Sequence, residues 1–209
     1  MLCIEQTGAE GPYALSTAYE NSARLQEPAV IGDAYLVGRR ATENMLELGN
    51  RRIFLLQSQL YDEDSVPDIQ TWFELGIYRG YRDAMREAGL DLLTRRVNAA
   101  DTTGDRRQAA IDLFKDDQPD GVLTMSRRFI EHLHHLAHTQ PKLAPRGFTL
   151  AGFQHCFPTS LSQINRVMIE LPICDAARLA VRELFNLIDG REAHDCSLSP
   201  IIDVLLADE

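Results

Sequence analysis

The chain predicts an α/β protein built on parallel sheets with helices on both faces. Three observations carry the prediction. From residue 28 onward, short apolar runs alternate with longer amphipathic segments. The connections between them are short. Glycines close several of the amphipathic segments, at Gly49, Gly89 and Gly190. Parallel strands need a crossover between them, and a helix is the usual one.

The elements follow in order. Residues 9–28, "AEGPYALSTAYENSARLQEP", have no clean period and read as a surface excursion. "PAVIGD" (28–33) reads as a short strand. "YLVGRRATENMLELG" (35–49) is a helix, with Val37, Ala41, Met45 and Leu48 at helical spacing and Gly49 as its stop. "RRIFLLQ" (51–57) is a strand, followed by a polar connector with Asp62, Glu63, Asp64 and Pro67. "TWFELGIYRGYRDAMREAG" (71–89) is helical in its later part, and "LLTRRVN" (92–98) is a strand. "TGDRRQAAIDLFKD" (103–116) is a helix whose apolar side is Ala109, Ala110, Leu113 and Phe114. Then come strand 119–125, helix 127–139, strand 148–153 and strand 163–171. "CDAARLAVRELFNLIDG" (174–190) is the most amphipathic helix, and "SPIIDVLLA" (199–207) is a last strand.

Composition narrows the function classes. The 209 residues are 44% hydrophobic and 25% charged, an ordinary globular balance. A net charge of −10 repels phosphates, so this polypeptide alone is a poor nucleic-acid surface. No apolar run approaches the roughly 18–20 residues of a membrane span. The start, "MLCIEQTGAEGPYALS", lacks the basic residues and apolar core of a secretory signal. The four cysteines, Cys3, Cys156, Cys174 and Cys196, form no CxxC pair and read as reduced thiols of a cytoplasmic protein.

His132, His134, His135 and His138 share one helix, and His134 and His138 share a face; a zinc site needs more ligands, and none is spaced to supply them. A polar helix face explains them. Neither GxSxG, GxxxxGK[ST] nor GxGxxG occurs. Asp62, Glu63, Asp64 and Asp68 do not fit a calcium-binding loop. His155 and Cys156 are adjacent and, on an extended chain, point to opposite sides, which argues against a nucleophile pair. Trp72 and Phe73 offer aromatic faces that could stack on a sugar or base, or simply pack in a core. Ligands in parallel sheets sit beyond the carboxyl ends of strands. "RRIFLLQS" (51–58), "GVLTMS" (121–126) and "FTLAGFQHC" (148–156) all end in polar residues, so three strand tips are expected on one rim.

The order of segments resembles the sensor domains of the lactose-repressor/galactose-repressor (LacI/GalR) regulators. "GDAYLVGRRATENMLELGNRRIFLL" (32–56) resembles their D-N-x-x-G-x-x-x-A-x-x-x-L-x-x-x-G-H-R-R-I. "YRGYRDAMREAGL" (78–90) is similar to R-x-x-G-[FY]-x-x-A-[LM]-x-x-x-G-[LI], and "QPDGVLTMS" (118–126) to the segment before their "ND" strand tip. "LAPRGFTLAGFQH" (143–155) resembles V-P-x-D-[IV]-x-[VI]-x-G-[FY]-D-D, and 174–190 their G-x-x-A-x-x-x-L-x-x-x-I-x-G. Each motif alone is weak; five in order are specific.

The resemblance implies a periplasmic-binding-protein-like (type I) sensor fold with a small effector between two α/β subdomains. The effector would be a sugar or an anionic sugar derivative. No cofactor, metal or catalytic residue is implied, and a homodimer that reaches DNA only through a head outside this chain is. A periplasmic sugar-binding protein shares the fold. Residues 1–50 with helix 172–190 would form a partial, N-terminally shortened first subdomain. Residues 51–160 with strand 199–207 would form the second. The ligand set carried over is Phe73, Ile77, Ser126, Arg127 and Gln154. Four of these depart from the family: Ile77 replaces an arginine, Ser126 and Arg127 replace "ND", and Gln154 replaces an aspartate. Arg127 and Gln154 shift the rim toward positive charge, which favours carboxylate or phosphate. The apolar stripe of 174–190 (Ala177, Ala180, Val181, Leu184, Phe185, Ile188) is expected to be only partly covered.

Overall fold

The computed structural model describes residues 3–7, 29–58, 60, 72–97, 103–157, 164–192 and 196–207. The expected excursion at 9–28 and the acidic connector at 62–68 lie outside the described residues, as does the side chain of Trp72. The chain divides into two compact units. One comprises Met1–Arg39, Glu63–Tyr81 and Leu171–Ile201; the other comprises Arg40–Asp62, Arg82–Glu170 and Ile202–Glu209.

The first unit holds a three-stranded sheet of β1 (Cys3–Thr7), β2 (Ala29–Asp33) and β8 (Cys196–Leu198), in the order β1-β2-β8. Both pairings are parallel, with Ile4 opposite Val30 and Val30 opposite Cys196. Asp33 ends β2, and its carboxylate accepts the Leu36 backbone N–H at 2.9 Å, capping α1 (Ala34–Glu47). The helix α5 (Ile173–Ile188) rests on β2. Its buried positions are Ala176, Ala180 and Glu183, and Leu198 packs against the two alanines.

Two glycines set the contact between α1 and α2 (Trp72–Glu87). A Cβ on Gly38 would run into the backbone carbonyl oxygen of Ile77. A Cβ on Gly80 would run into the carbonyl oxygen of Tyr35 and lie 2.6 Å from the backbone nitrogen of Arg39. The helix backbones therefore touch directly, with no side chain between them.

The second unit holds a six-stranded sheet in the order β4-β3-β5-β6-β7-β9. Its strands are β3 (Ile53–Gln57), β4 (Leu93–Arg96), β5 (Gly121–Thr124), β6 (Thr149–Phe153), β7 (Asn165–Glu170) and β9 (Ile201–Leu205). The pairs β3–β4, β3–β5, β5–β6 and β6–β7 are all parallel. Every residue of β3 and β5 is buried, as expected where helices cover both faces. The edge strands β4 and β9 are half-exposed or alternate.

The main core forms where α3 (Thr103–Asp112) and α4 (Arg127–Thr139) cover one sheet face. On α4, Phe129, Ile130, Leu133, Leu136 and Ala137 are buried, the spacing of one helix stripe. Phe114 meets Phe148 edge-on, with ring centroids 5.0 Å apart. Beyond α3 the chain widens into a π-helical turn, Leu113–Asp117, which ends at Gln118 with a positive φ of 44°. Asp117 pairs with Arg95 at 2.6 Å. Asp120 then fixes the start of the sheet. Its carboxylate accepts the backbone N–H groups of Arg51 and Arg52 at 2.7 and 2.8 Å, and its backbone oxygen accepts Asn50 Nδ2 at 2.7 Å. These bonds tie the segment leading into β3 to the start of β5.

Candidate functional site

All strands of known pairing direction in the second unit run the same way, so their carboxyl ends share one edge. Gln57, Arg96, Thr124, Phe153 and Glu170 are the last residues there. Leu123 lies opposite Ala151 in the β5–β6 ladder. The residue three beyond each is Ser126 and Gln154, so these two stand at neighbouring strand tips. Gly152 allows the tips to close up, because a Cβ there would lie 2.6 Å from the Thr124 carbonyl oxygen and 2.5 Å from Ile130 Cδ1.

Ser126 is the residue before α4, and its carbonyl accepts the N–H groups of Phe129 and Ile130, each at 3.0 Å. Its own N–H donates to Thr124 Oγ1 at 3.2 Å, while its hydroxyl makes no cap bond. The hydroxyl is therefore not spent on the helix end. Arg127 is exposed, and its guanidinium Nε donates to Glu131 Oε1 at 2.9 Å. Such i,i+4 pairs in water are worth about 0.3–0.5 kcal/mol. An incoming carboxylate or phosphate could displace Glu131 at little cost.

Gln154 is exposed at the start of a single 3₁₀ turn, Gln154–Cys156. His155 is also exposed and stacks on Phe153, centroids 5.7 Å apart and planes 14° apart. Cys156 points the other way and is buried; burial pushes its thiol pKa up, against an opposing pull from Arg127. A protonated buried thiol is a poor nucleophile.

Phe73 and Ile77 belong to the first unit. They are four apart on α2 and share a helix face. Phe73 is half-buried, whereas Ile77 is 1% exposed. The position at Thr124 escaped sequence reasoning. Its hydroxyl holds the Ser126 N–H and is fully buried, but in "GVLTMS" it reads only as a strand residue.

Among the described residues, no group of three or more His, Cys, Asp or Glu is placed to hold a metal. His134 is half-buried, and its pKa lies below the ordinary histidine value because of burial first, then Arg166, His138 and His135. His132 is lowered by burial and Arg106, with Glu131 opposing. The fold thus disfavours the charged form of both histidines. As pH falls below about 6.5, the unfolded chain takes up these protons first, so stability present above that pH is lost. The melting temperature is expected to fall as pH drops below about 6.5. His134→Gln should flatten that slope in calorimetry; an unchanged slope would remove His134 from the account.

The parallel sheets, their covering helices and the polar strand tips define an α/β fold of the periplasmic-binding-protein type. The chain belongs to the periplasmic binding protein-like domain family, whose profile matches residues 42–203. Comparison with curated proteins returns no match. Solved structures with the same fold include a regulatory protein of the LacI family from Chloroflexus aggregans. It is 18% identical with a TM-score of 0.65, covering 99% of this chain and 76% of that one. A LacI family transcriptional regulator from Enterococcus faecium with bound ribose is 16% identical, TM-score 0.63, covering 99% and 79%. The transcriptional regulator CelR in complex with cellobiose is 17% identical, TM-score 0.63, covering 99% of this chain and 65% of that chain. At these identities the likeness is one of fold. No described helix is long and apolar enough to cross a membrane.

Proposed function

We propose that the chain is the effector-sensing part of a LacI/GalR-like transcriptional regulator, non-enzymatic, taking a sugar or an anionic sugar derivative between two subdomains. The observation that carries the reading is the pairing of Ser126 and Gln154 at adjacent carboxyl ends of a parallel sheet, both with side chains free of helix-capping duty. Two structures of the same fold hold ribose and cellobiose, which supports a saccharide.

In this reading Gln154 donates and accepts to ligand hydroxyls, Ser126 adds a hydroxyl, and Arg127 leaves Glu131 for a carboxylate or phosphate. Phe73 presents a ring face to the sugar. Ile77, fully buried, fixes the helix that carries Phe73 rather than touching the ligand. In this reading the two compact units serve as the subdomains, the first supplying Phe73 and Ile77 and the second Ser126, Arg127 and Gln154. Effector binding shifts the balance between two arrangements of a homodimer, and DNA is reached through a separate head.

A thermal-shift screen of sugars, sugar acids and sugar phosphates tests this, followed by calorimetric titration of the hits. An acid or phosphate is expected to bind more tightly than its neutral parent. Gln154→Ala is expected to weaken binding about tenfold, the loss of one or two good hydrogen bonds. Tighter binding of the neutral member would sink the anionic assignment. A screen without any saccharide hit would sink the sensor reading.

A further inference from the structure

The sheet places Arg166 of β7 beside His134 of α4. β6 and β7 pair in parallel, with Gly152 opposite Met168 and Leu150 opposite Arg166. Residues opposite each other project to one face, as do residues two apart on a strand. A Cβ on Gly152 would lie 2.5 Å from Ile130 Cδ1, so that face is the one α4 covers. Arg166 therefore faces α4. A crossover helix runs against the strands it joins. One turn along α4 from Ile130 to His134 is about 6 Å. The step back along β7 from Met168 to Arg166 is about 7 Å. His134 and Arg166 thus stand at the same level. His138 is one turn further on and shares the face of His134.

Two observations say what fits there. The first is a buried donor. Arg166 is half-buried, and its Nε meets no hydrogen-bond acceptor among the described residues. A buried charged N–H in that state costs free energy that an acceptor restores. The second is the sign of the surroundings. The charged groups that act on half-buried His134 are Arg166, His138 and His135, all of them cationic. Glu131, one turn before His135, is held by Arg127 at 2.9 Å. Asn165 is neutral, and its Nδ2 donates to the Gly147 carbonyl at 3.2 Å. Glu170 is exposed at the far end of β7, and Asp203 is exposed on β9. β5 and β6 carry no charged residue. The 3₁₀ turn beside α4 adds exposed His155 and buried Cys156. Arg106 and Arg107 of α3 act on His132 instead.

We propose that the flank of α4 beside β7 is an anion site: an oxyanion of the phosphate class sits on Arg166 Nε and His134, with His138 at its rim. A tetrahedral oxyanion has enough oxygens to reach donors on two elements at once. Arg166 is the second residue of β7, so this site lies toward the amino ends of the strands. Ser126 and Gln154 lie beyond the carboxyl ends, and the site does not rest on what they bind. A bound anion favours the charged imidazole of His134. Binding therefore takes up a proton and tightens as pH falls toward 6.

Sulfate is the probe, because its double charge does not change over this range. The full chain is melted at pH 6 and pH 8, in about 10 mM sulfate or in chloride of equal ionic strength. Sulfate is expected to raise the melting temperature by about 2–4 °C at pH 6 and by less at pH 8. Inorganic phosphate should match it and acetate should not. Arg166→Met, which keeps the packed stem and removes the buried N–H, should abolish the effect. Arg146→Gln, the same charge change at an exposed site, should leave it. Proton NMR of the wild-type imidazoles gives a reading that needs no variant: sulfate should move the His134 titration to higher pH. Equal stabilisation at both pH values, or an unmoved His134, overturns the proposal. So does an effect that survives Arg166→Met and disappears in Arg127→Ala, which would put the anion at the strand tips. Stabilisation by zinc in place of sulfate overturns it too, since the histidines would then be ligands of a cation.

Discussion

Replacing Gly80 with alanine is expected to cost about 3 kcal/mol or more, the upper range for forcing atoms into a packed site. The new methyl would meet the backbone of Tyr35 and Arg39, and backbone cannot rotate away as a side chain can. Relief requires moving α1 from α2 along their contact. Gly38→Ala, facing the Ile77 carbonyl, should behave alike. Gly147→Ala is the control. Its φ is 77°, but nothing lies within 4 Å of the new Cβ, so it should lose only about 1–2 kcal/mol of left-handed strain. Urea denaturation of the three variants checks this. Equal midpoints for Gly80→Ala and Gly147→Ala would mean that the helices are not held in backbone contact.

Phe148→Ala is expected to remove about 3–5 kcal/mol, the usual range for emptying a buried aromatic site. Phe148 is 1% exposed and its ring is met edge-on by Phe114. Phe114 sits in the π-helical turn, so a cavity at 148 also loosens the turn that carries Asp117. Phe148→Leu keeps most of the volume and should cost less, about 1.5 kcal/mol or below. Hydrogen exchange should show the loss spreading through β5 and β6, since Phe148 directly precedes β6 and Val122 shares its cluster. Exchange confined to the immediate neighbours would show that the cluster does not act as one core.

The repetitive elements were legible because their signals are local. The expected strand at 51–57 and helices at 35–49 and 127–139 match β3, α1 and α4 within a few residues. Their apolar periods and glycine stops lie within the segment itself. What escaped depended on distant partners. β8 is three residues, "CSL", with no apolar period; it is a strand because Val30 and its neighbours pair with it. β1 has the mixed sequence "CIEQT" and likewise exists by pairing. The π-helical turn interrupts a run that reads as continuous helix to residue 116. It is accompanied by the tie from Arg95 to Asp117, which no window of sequence shows.

The candidate site divides the same way. The strand tips at 126 and 154 follow from apolar runs ending in polar residues. The ion pair of Arg127 was readable in principle, since Glu131 is four residues on along one helix. The burial of Ile77 was not, because it depends on which helix face meets α1.

The parallel partner of Val30 is Cys196. A ribosome adds about 5–20 residues each second, so β2 waits on the order of ten seconds for β8 to be made. The six-stranded sheet needs no such wait for β3 to β7, whose pairings join nearby stretches of chain. During synthesis the nascent protein therefore carries an early strand with one open edge beside a sheet that is already closing. Slowing translation of the codons just before and within β8 should lengthen that exposure and raise the demand for chaperone binding, without altering a single residue of the finished protein.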